Sequence, residues 1–568
     1  MDNLNASTIP LTGTHLIEAS AGTGKTYNIT RLYLRLLLER KLTVQQILVM
    51  TFTKDATEEL KSRVEKVLRD AIDNWSTLCE NDSFFKDLSS KVTVEQSQLI
   101  LRQALLNIDE ASIFTIHGFC KTVISNHAFS SGVSFQASLE TDATNITKQC
   151  VQDWYRKLAA DQPDNFALVE GIAKTPDKFI ADYGKLFYRD NLPLVQSVEQ
   201  VIKEYQFKVR EALILIEQNQ ALIFECIVDN KSGKEREKRN SEFEALTDWL
   251  SNVIADHQFA SNKMPTSFFL GSRFSRHAKK EELKAVFAGV NQLKSAKKSV
   301  FQLIEQTLAL NVVHKGLGEI KQAISGEKNK QNLLTFDDLI DVLANKVNRN
   351  AGDNELARAI YKSFPVALVD EFQDTDTKQF SILSSVYFNQ ANAGLFFIGD
   401  PKQAIYGFRG GDVFAYLNAR KYCQYQWMMD TNWRSSPEVI SGYNAIFEGA
   451  TSDACATFGY GIPYFPVNAS PNARSNIDFN DDYQGIQFIH FERPDDKPLK
   501  ASFRENMAAW CAQETAKLIS SNTVQAGDIA FLVRDGTEGA AIKLALSDIG
   551  LSSVYLSDRQ NLFKTNEC

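Results

Sequence analysis

The sequence has no C-x-x-C pair, no H-E-x-x-H segment and no apolar run long enough to cross a bilayer. Its eight cysteines (Cys79, Cys120, Cys150, Cys226, Cys423, Cys455, Cys511 and Cys568) are scattered, which argues against a zinc ribbon or a thiolate cluster and fits free thiols in a reducing cytoplasm. Seven histidines without metal spacing leave a hard cation, held by carboxylate, hydroxyl and phosphate oxygens, as the metal chemistry to expect. The first twenty residues lack a basic head followed by an apolar stretch, so no secretory leader is expected. The most apolar helical stretch, residues 32–38, is interrupted by Arg35, and no membrane partner is expected. Positive charge is not in excess either: 62 Lys and Arg face 70 Asp and Glu, for a net −8. That disfavours coating of DNA by bulk electrostatics, while a local groove that grips a strand by stacking remains compatible. No low-complexity segment or repeat of 20–50 residues occurs, so a solenoid is excluded.

What is present is an ordinary globular composition, 44% hydrophobic and 23% charged, over 568 residues, enough for three or four domains. Residues 1–121 alternate apolar strands (15–19, 47–52, 112–116) with helical stretches (25–40, 54–70), the rhythm of a parallel α/β sheet. Residues 122–330 carry spaced aromatics and leucines with few β-branched runs and read as a helical insertion; within it, 231–242 reads as a solvated loop or helix end. Strands at 364–372, 394–400 and 425–430 continue the first sheet. After about residue 431 a new α/β unit begins, with strands at 485–491 and 528–534 and a helix over 504–520.

Four segments carry chemistry. Ala19-Ser20-Ala21-Gly22-Thr23-Gly24-Lys25-Thr26 lies between a strand and a helix and fits a phosphate-binding loop with alanine at the first glycine. Such a turn aims N–H groups and a helix dipole at phosphate oxygens, with Lys25 for the β- and γ-phosphates and Thr26 for Mg²⁺. The apolar run 366–369 ends in Asp370 and Glu371, a metal ligand and a base for the attacking water. A strand ending at Asp400 brings Gln403 toward the same cleft as a neutral reader of the γ-phosphate. Tyr406 and Phe408 beyond it offer faces for base stacking, although both suit an interdomain core equally well. Finally Trp433 and Arg434 open the second unit, an adenine platform beside an arginine for transition-state charge.

In order, ASAGTGKT, TFTKDATEEL, FTIHGFC, TFDDL, VDEFQDTD, GDPKQAIYGFRG and NWRS resemble the UvrD/Rep helicases of superfamily 1, and only the middle zone is without motifs. Within that family the combination looks most like the RecB branch, with the AddA branch as nearest rival. The resemblance implies a RecA-like P-loop sheet (1–121 and 331–431), a large helical insertion (122–330) and an incomplete second RecA-like domain (432–568). It implies ATP and Mg²⁺ as cofactors, and a 3′-to-5′ DNA helicase acting in double-strand break repair. Its partners would be single-stranded DNA and duplex ends, with RecC-like and RecD-like subunits. It also implies that Phe52, Thr53, His117, Tyr406 and Phe408 face single-stranded DNA; taken alone, a lone histidine such as His117 is more often structural.

Two departures stand out. UvrD and Rep usually carry two acidic residues where this chain has Pro401-Lys402, and the adenine-reading glutamine expected upstream of the loop is replaced by Pro10-Leu11-Thr12-Gly13. The family's later motifs and the RecB-type nuclease cluster do not occur, from which a truncated chain is expected, one that binds nucleotide weakly and does not unwind duplex by itself. A non-catalytic DNA-binding or assembly subunit and a regulatory ATPase are the competing readings. The first would have no need to keep Lys25, Thr26, Asp370, Glu371, Gln403 and Arg434 together.

Overall fold

Runs of consecutive apolar residues, not alternating ones, mark strands buried on both faces, and the chain holds several: LIEA, ILVM, VALV and LFFI. The computed structural model describes residues 1–127, 138–139, 143–188, 192–226, 234–265, 280–295, 300–348, 354–407, 411–448, 458–473, 485–491, 500–522 and 524–556. Its strands, in chain order, are β1 (Asp2–Asn3), β2 (Gly13–Ala19), β3 (Ile47–Thr51), β4 (Ile113–Thr115), β5 (Ser138–Leu139), β6 (Leu333–Leu334), β7 (Val366–Val369), β8 (Gly394–Gly399), β9 (Tyr425–Met429), β10 (Thr431–Asn432) and β11 (Asn468–Ala469). Seven of them form one sheet in the order β1-β9-β2-β8-β7-β3-β4, parallel at every pair. This is the parallel α/β sheet of a RecA-like motor domain. The two central strands, β7 and β8, are wholly buried. The edge strand β1, two residues paired to β9 at Trp427 and Met428, carries no sequence signal because so short a strand has no period.

The chain folds as two compact units, Met1–Val133 with Leu339–Cys568, and Ser134–Asp338. In the first, the loop after β2 leads into helix α1 (Lys25–Leu38), buried without a break from Ile29 to its end. Arg35 tolerates that burial because its guanidinium donates to Ala6 O and Ile9 O at 2.7 and 2.9 Å and pairs with Glu39. Helix α2 (Lys54–Asp73) follows β3, capped by the Thr53 hydroxyl, which accepts from Ala56 N at 3.1 Å. Helix α3 (Ile116–Asn126) follows β4 under the same kind of cap from Thr115.

Among the described residues of the second unit the regular elements are helices and the β5–β6 pair. Its helix α4 (Val300–Lys330) packs Gly316 against Trp154, where an added Cβ would lie 2.2 Å from the indole. Of the segment read as solvated, 231–233 lie outside the described residues and the rest opens the helix Lys234–Ala255. Glu237, Lys238, Asn240 and Ser241 there are exposed, as in a solvated helix end, while Arg239 is buried and paired with Glu242.

Two expectations are corrected in the C-terminal segment. Residues 485–491 and 528–534 form no strands, although the helices Lys500–Ser520 and Gly536–Asp548 are present. A strand exists only through its ladder, and among the described residues neither segment pairs with another strand. Phe488 and Leu532 accordingly stand exposed.

Candidate functional site

A phosphate needs several N–H groups aimed at one point, which an L-residue backbone supplies only through a left-handed turn. Gly22 and Gly24 take φ +78° and +88° between β2 and α1, and the Thr23 hydroxyl closes the turn by donating to Ser20 O at 2.7 Å. At Gly22 an added Cβ would lie 2.7 Å from Asn432 Nδ2 and 3.0 Å from Arg434 Cβ, so glycine is required there on two counts. Asn432 donates its amide to Ala21 O at 2.8 Å, and Trp433 N donates to Gly22 O at 2.8 Å. The Asn432 Oδ1 in turn accepts from Arg434 N and Ser435 N, both at 2.9 Å. The loop is thereby strapped to the segment bearing Trp433 and Arg434, and both of those side chains are exposed beside it.

Across the cleft, β7 delivers Asp370 and Glu371. Lys25 Nζ donates to both Glu371 oxygens at 2.7 Å, joining residues 346 positions apart. Glu371 sits in the left-handed region at φ +50°, and its N–H donates to Asp370 Oδ1 at 3.0 Å. Burial raises the Asp370 carboxyl to about 6, helped by the neighbouring Glu371 charge and opposed by Lys25 and by the Glu371 N–H. Asp374 is raised to about 6 for the same first two reasons, and its Oδ1 is buried without a hydrogen-bond partner among the described residues. An acid whose charge is disfavoured by its surroundings is one that a cation would complement. The turn, Lys25, Thr26 at the head of α1 and Asp370 therefore fit a magnesium–triphosphate.

The sign of that shift gives a testable consequence. A folded-state pKa raised above the unfolded value means that stability is greatest below about 4 and is lost as pH rises through 6. Asp370→Asn removes a penalty of at most roughly 3 kcal/mol at pH 7, before solvent screening, and almost none near pH 4. Thermal unfolding of the nucleotide-free chain should show a higher Tm for the variant at pH 7 and a shrinking gain toward pH 5. A gain of equal size at both values would refute this account.

Gln403, on the turn after β8, donates its amide to Asp400 Oδ2 at 2.8 Å. Gln373 bridges the two segments, donating to Glu371 Oε2 at 2.7 Å and accepting from Asp400 N at 3.0 Å. It has room because Gly399 has no side chain: a Cβ there would lie 2.4 Å from Gln373 Oε1. Sequence reasoning gave Gln373 and Asn432 no role, although they lie within VDEFQDTD and NWRS. It also passed over Tyr27, whose exposed ring carries the Arg31 guanidinium at 3.7 Å one turn into α1; an exposed aromatic directly after the lysine–threonine pair was the available clue.

Of the residues expected to face DNA, Phe52 and Tyr406 stack on each other with centroids 5.3 Å apart, at the ends of β3 and the β8 turn. Thr53 is spent on capping α2, and His117 is half-buried in the first turn of α3. Phe408 lies outside the described residues. A small hollow is lined by Thr51, Phe52, Ile116, Asp370, Glu371 and Gln379 among others.

Against known proteins, the model of the UvrD/REP helicase N-terminal domain matches residues 2–424. The RecBCD enzyme subunit RecB of Escherichia coli K12 is 30% identical, covering 100% of this chain and 50% of that protein. The RecB subunit of Haemophilus influenzae is 31% identical (99% and 51%), and that of Chlamydia trachomatis 27% (93% and 50%). The chain spans about half the length of the curated relatives it matches.

Proposed function

The chain belongs to the UvrD/Rep helicase family, and on that premise we propose that it is the ATP-hydrolysing front part of a RecB-like DNA helicase acting in double-strand break repair and recombination. The single observation that carries the reading is the meeting of Lys25 with Glu371, beside Asp370, at the mouth of a glycine turn. In this reading the turn, Lys25 and Thr26 hold the triphosphate, and Thr26 and Asp370 hold Mg²⁺, which when bound neutralises charge on the phosphates. Glu371 orients and deprotonates the attacking water, Gln403 reports the γ-phosphate, and Arg434 supplies positive charge to the transition state. Trp433, with Tyr27 opposite the turn, offers apolar faces to the base of the nucleotide.

The Phe52–Tyr406 pair is assigned to the single strand. Stacking on flat rings tolerates any base, which suits a motor, and the hollow that Phe52 lines together with Asp370 and Glu371 gives strand contact a short route to hydrolysis. RecC-like and RecD-like subunits are proposed as partners from the RecBCD name that the relatives carry, and a 3′-to-5′ direction with duplex ends as substrate from the family resemblance of the motifs.

The test is nucleotide turnover with and without oligodeoxythymidine, in the complete protein. Single strands should stimulate turnover, and Phe52→Ala or Tyr406→Ala should weaken strand affinity about tenfold per base lost from the stack while leaving unstimulated turnover in place. Turnover indifferent to DNA would favour a regulatory ATPase instead.

A further inference from the structure

We propose that Lys402 is a positioning residue for Gln403, acting through a buried charge clamp that ties the sensor turn to the strand leading into the phosphate loop. The inference rests on the reading of Gln403 as the γ-phosphate sensor.

Lys402 Nζ lies 2.7 Å from Glu18 Oε1 and 2.8 Å from Asp400 Oδ1, and the three side chains are only 7%, 2% and 3% exposed. Glu18 occupies the last rung of the β2–β8 ladder, opposite Gly399. Asp400 is the group that holds the sensor, since its second oxygen accepts the Gln403 amide. The ammonium therefore sits between the strand that ends in the phosphate loop and the carboxylate that aims Gln403.

Two carboxylates and one ammonium form an expensive cluster to bury, and apolar residues of the same volume would pack there at lower cost. The cluster is also incomplete: among the described residues, Glu18 Oε2 and the nearby Tyr416 hydroxyl are both buried without hydrogen-bond partners. Burial by itself would lower the lysine's pKa, yet Asp400 and Glu18 together carry it above the ordinary value, so the amine stays charged. Such an arrangement fixes geometry more than it adds stability. Without the ammonium, Glu18 and Asp400 would face each other as buried like charges, and Asp400 would have to protonate or swing away. Swinging away withdraws the acceptor from Gln403, and protonation weakens it from a charged to a neutral one. Lys25 pairs with Glu371 instead, outside the clamp, and that pair would keep its geometry.

The experiment compares the affinity of this chain for the magnesium complex of a β,γ-imido ATP analogue with its affinity for magnesium ADP, by calorimetry. Gln403→Ala should lower the triphosphate-to-diphosphate ratio on the order of tenfold, the worth of one hydrogen bond to a charged group. Lys402→Met should lower it equally, without changing ADP affinity, and the double variant should fall no further. If Gln403→Ala lowers the ratio and Lys402→Met does not, or if the two losses multiply, the clamp is not what positions the sensor. If Gln403→Ala itself leaves the ratio unchanged, the sensor reading fails and the clamp's role fails with it. Should Lys402→Met not fold, Lys402→Gln removes the charge while keeping a hydrogen-bond donor, leaves Glu18 and Asp400 as facing like charges, and is read by the same criteria.

Discussion

Lys25→Ala is expected to cut nucleotide turnover by roughly a thousandfold and to weaken triphosphate binding. Lys25 stands at the first position of α1, where the helix dipole and the turn's N–H groups also point. Removing it takes away the side-chain ammonium that reaches both the phosphate position and Glu371. Loss of fold would not account for the result. The Lys25–Glu371 pair is 15% and 34% exposed, a setting in which an ion pair contributes about 1 kcal/mol or less, so Tm should move by only a few degrees. Turnover within tenfold of the parent, in a variant shown to be folded, would remove this chain from the ATP-hydrolysing motors.

Glu371→Gln should act in the opposite direction on binding. Its turnover should fall a hundred- to ten-thousandfold for want of a base. Nucleotide affinity, however, should rise. Both Glu371 oxygens accept from Lys25, so a phosphate must compete with a carboxylate for the same ammonium. A glutamine keeps the acceptor that Gln373 uses but no longer neutralises the lysine. Titration with a fluorescent triphosphate analogue separates the two variants: weaker for Lys25→Ala, tighter for Glu371→Gln. Weaker binding in both would show that the ion pair does not compete with nucleotide.

The parts of this site that were legible in the sequence are those whose chemistry is local. A phosphate turn needs its glycines, lysine and threonine within eight consecutive residues, and an apolar run ending in Asp370 and Glu371 announces a strand that presents acids at its tip. Phe52 was singled out only through family likeness, and Tyr406 was left between a base platform and an interdomain core, because an aromatic in a core and one under a base look the same in a sequence. Gln373, Asn432 and the Glu18–Lys402 contact were beyond reach for another reason. Two are defined by a partner far along the chain, 411 positions away for Asn432 and Ala21 and 384 for Lys402 and Glu18, and Gln373 by a bridge to partners 2 and 27 positions away. The two misread strands, 485–491 and 528–534, err in the same way: period and composition describe one segment, whereas pairing requires two.

The left-handed backbone at Glu371 has an evolutionary consequence. A glutamate held at φ +50° stores conformational strain that a glycine would release, and the desolvated Asp370 beside it carries a further penalty that an asparagine would remove. Both discomforts sit on the two side chains proposed to hold the metal and to activate the water. Laboratory selection of this protein for heat tolerance alone, with no demand for turnover, should therefore collect its first substitutions at that strand tip and return hardier molecules that no longer burn fuel.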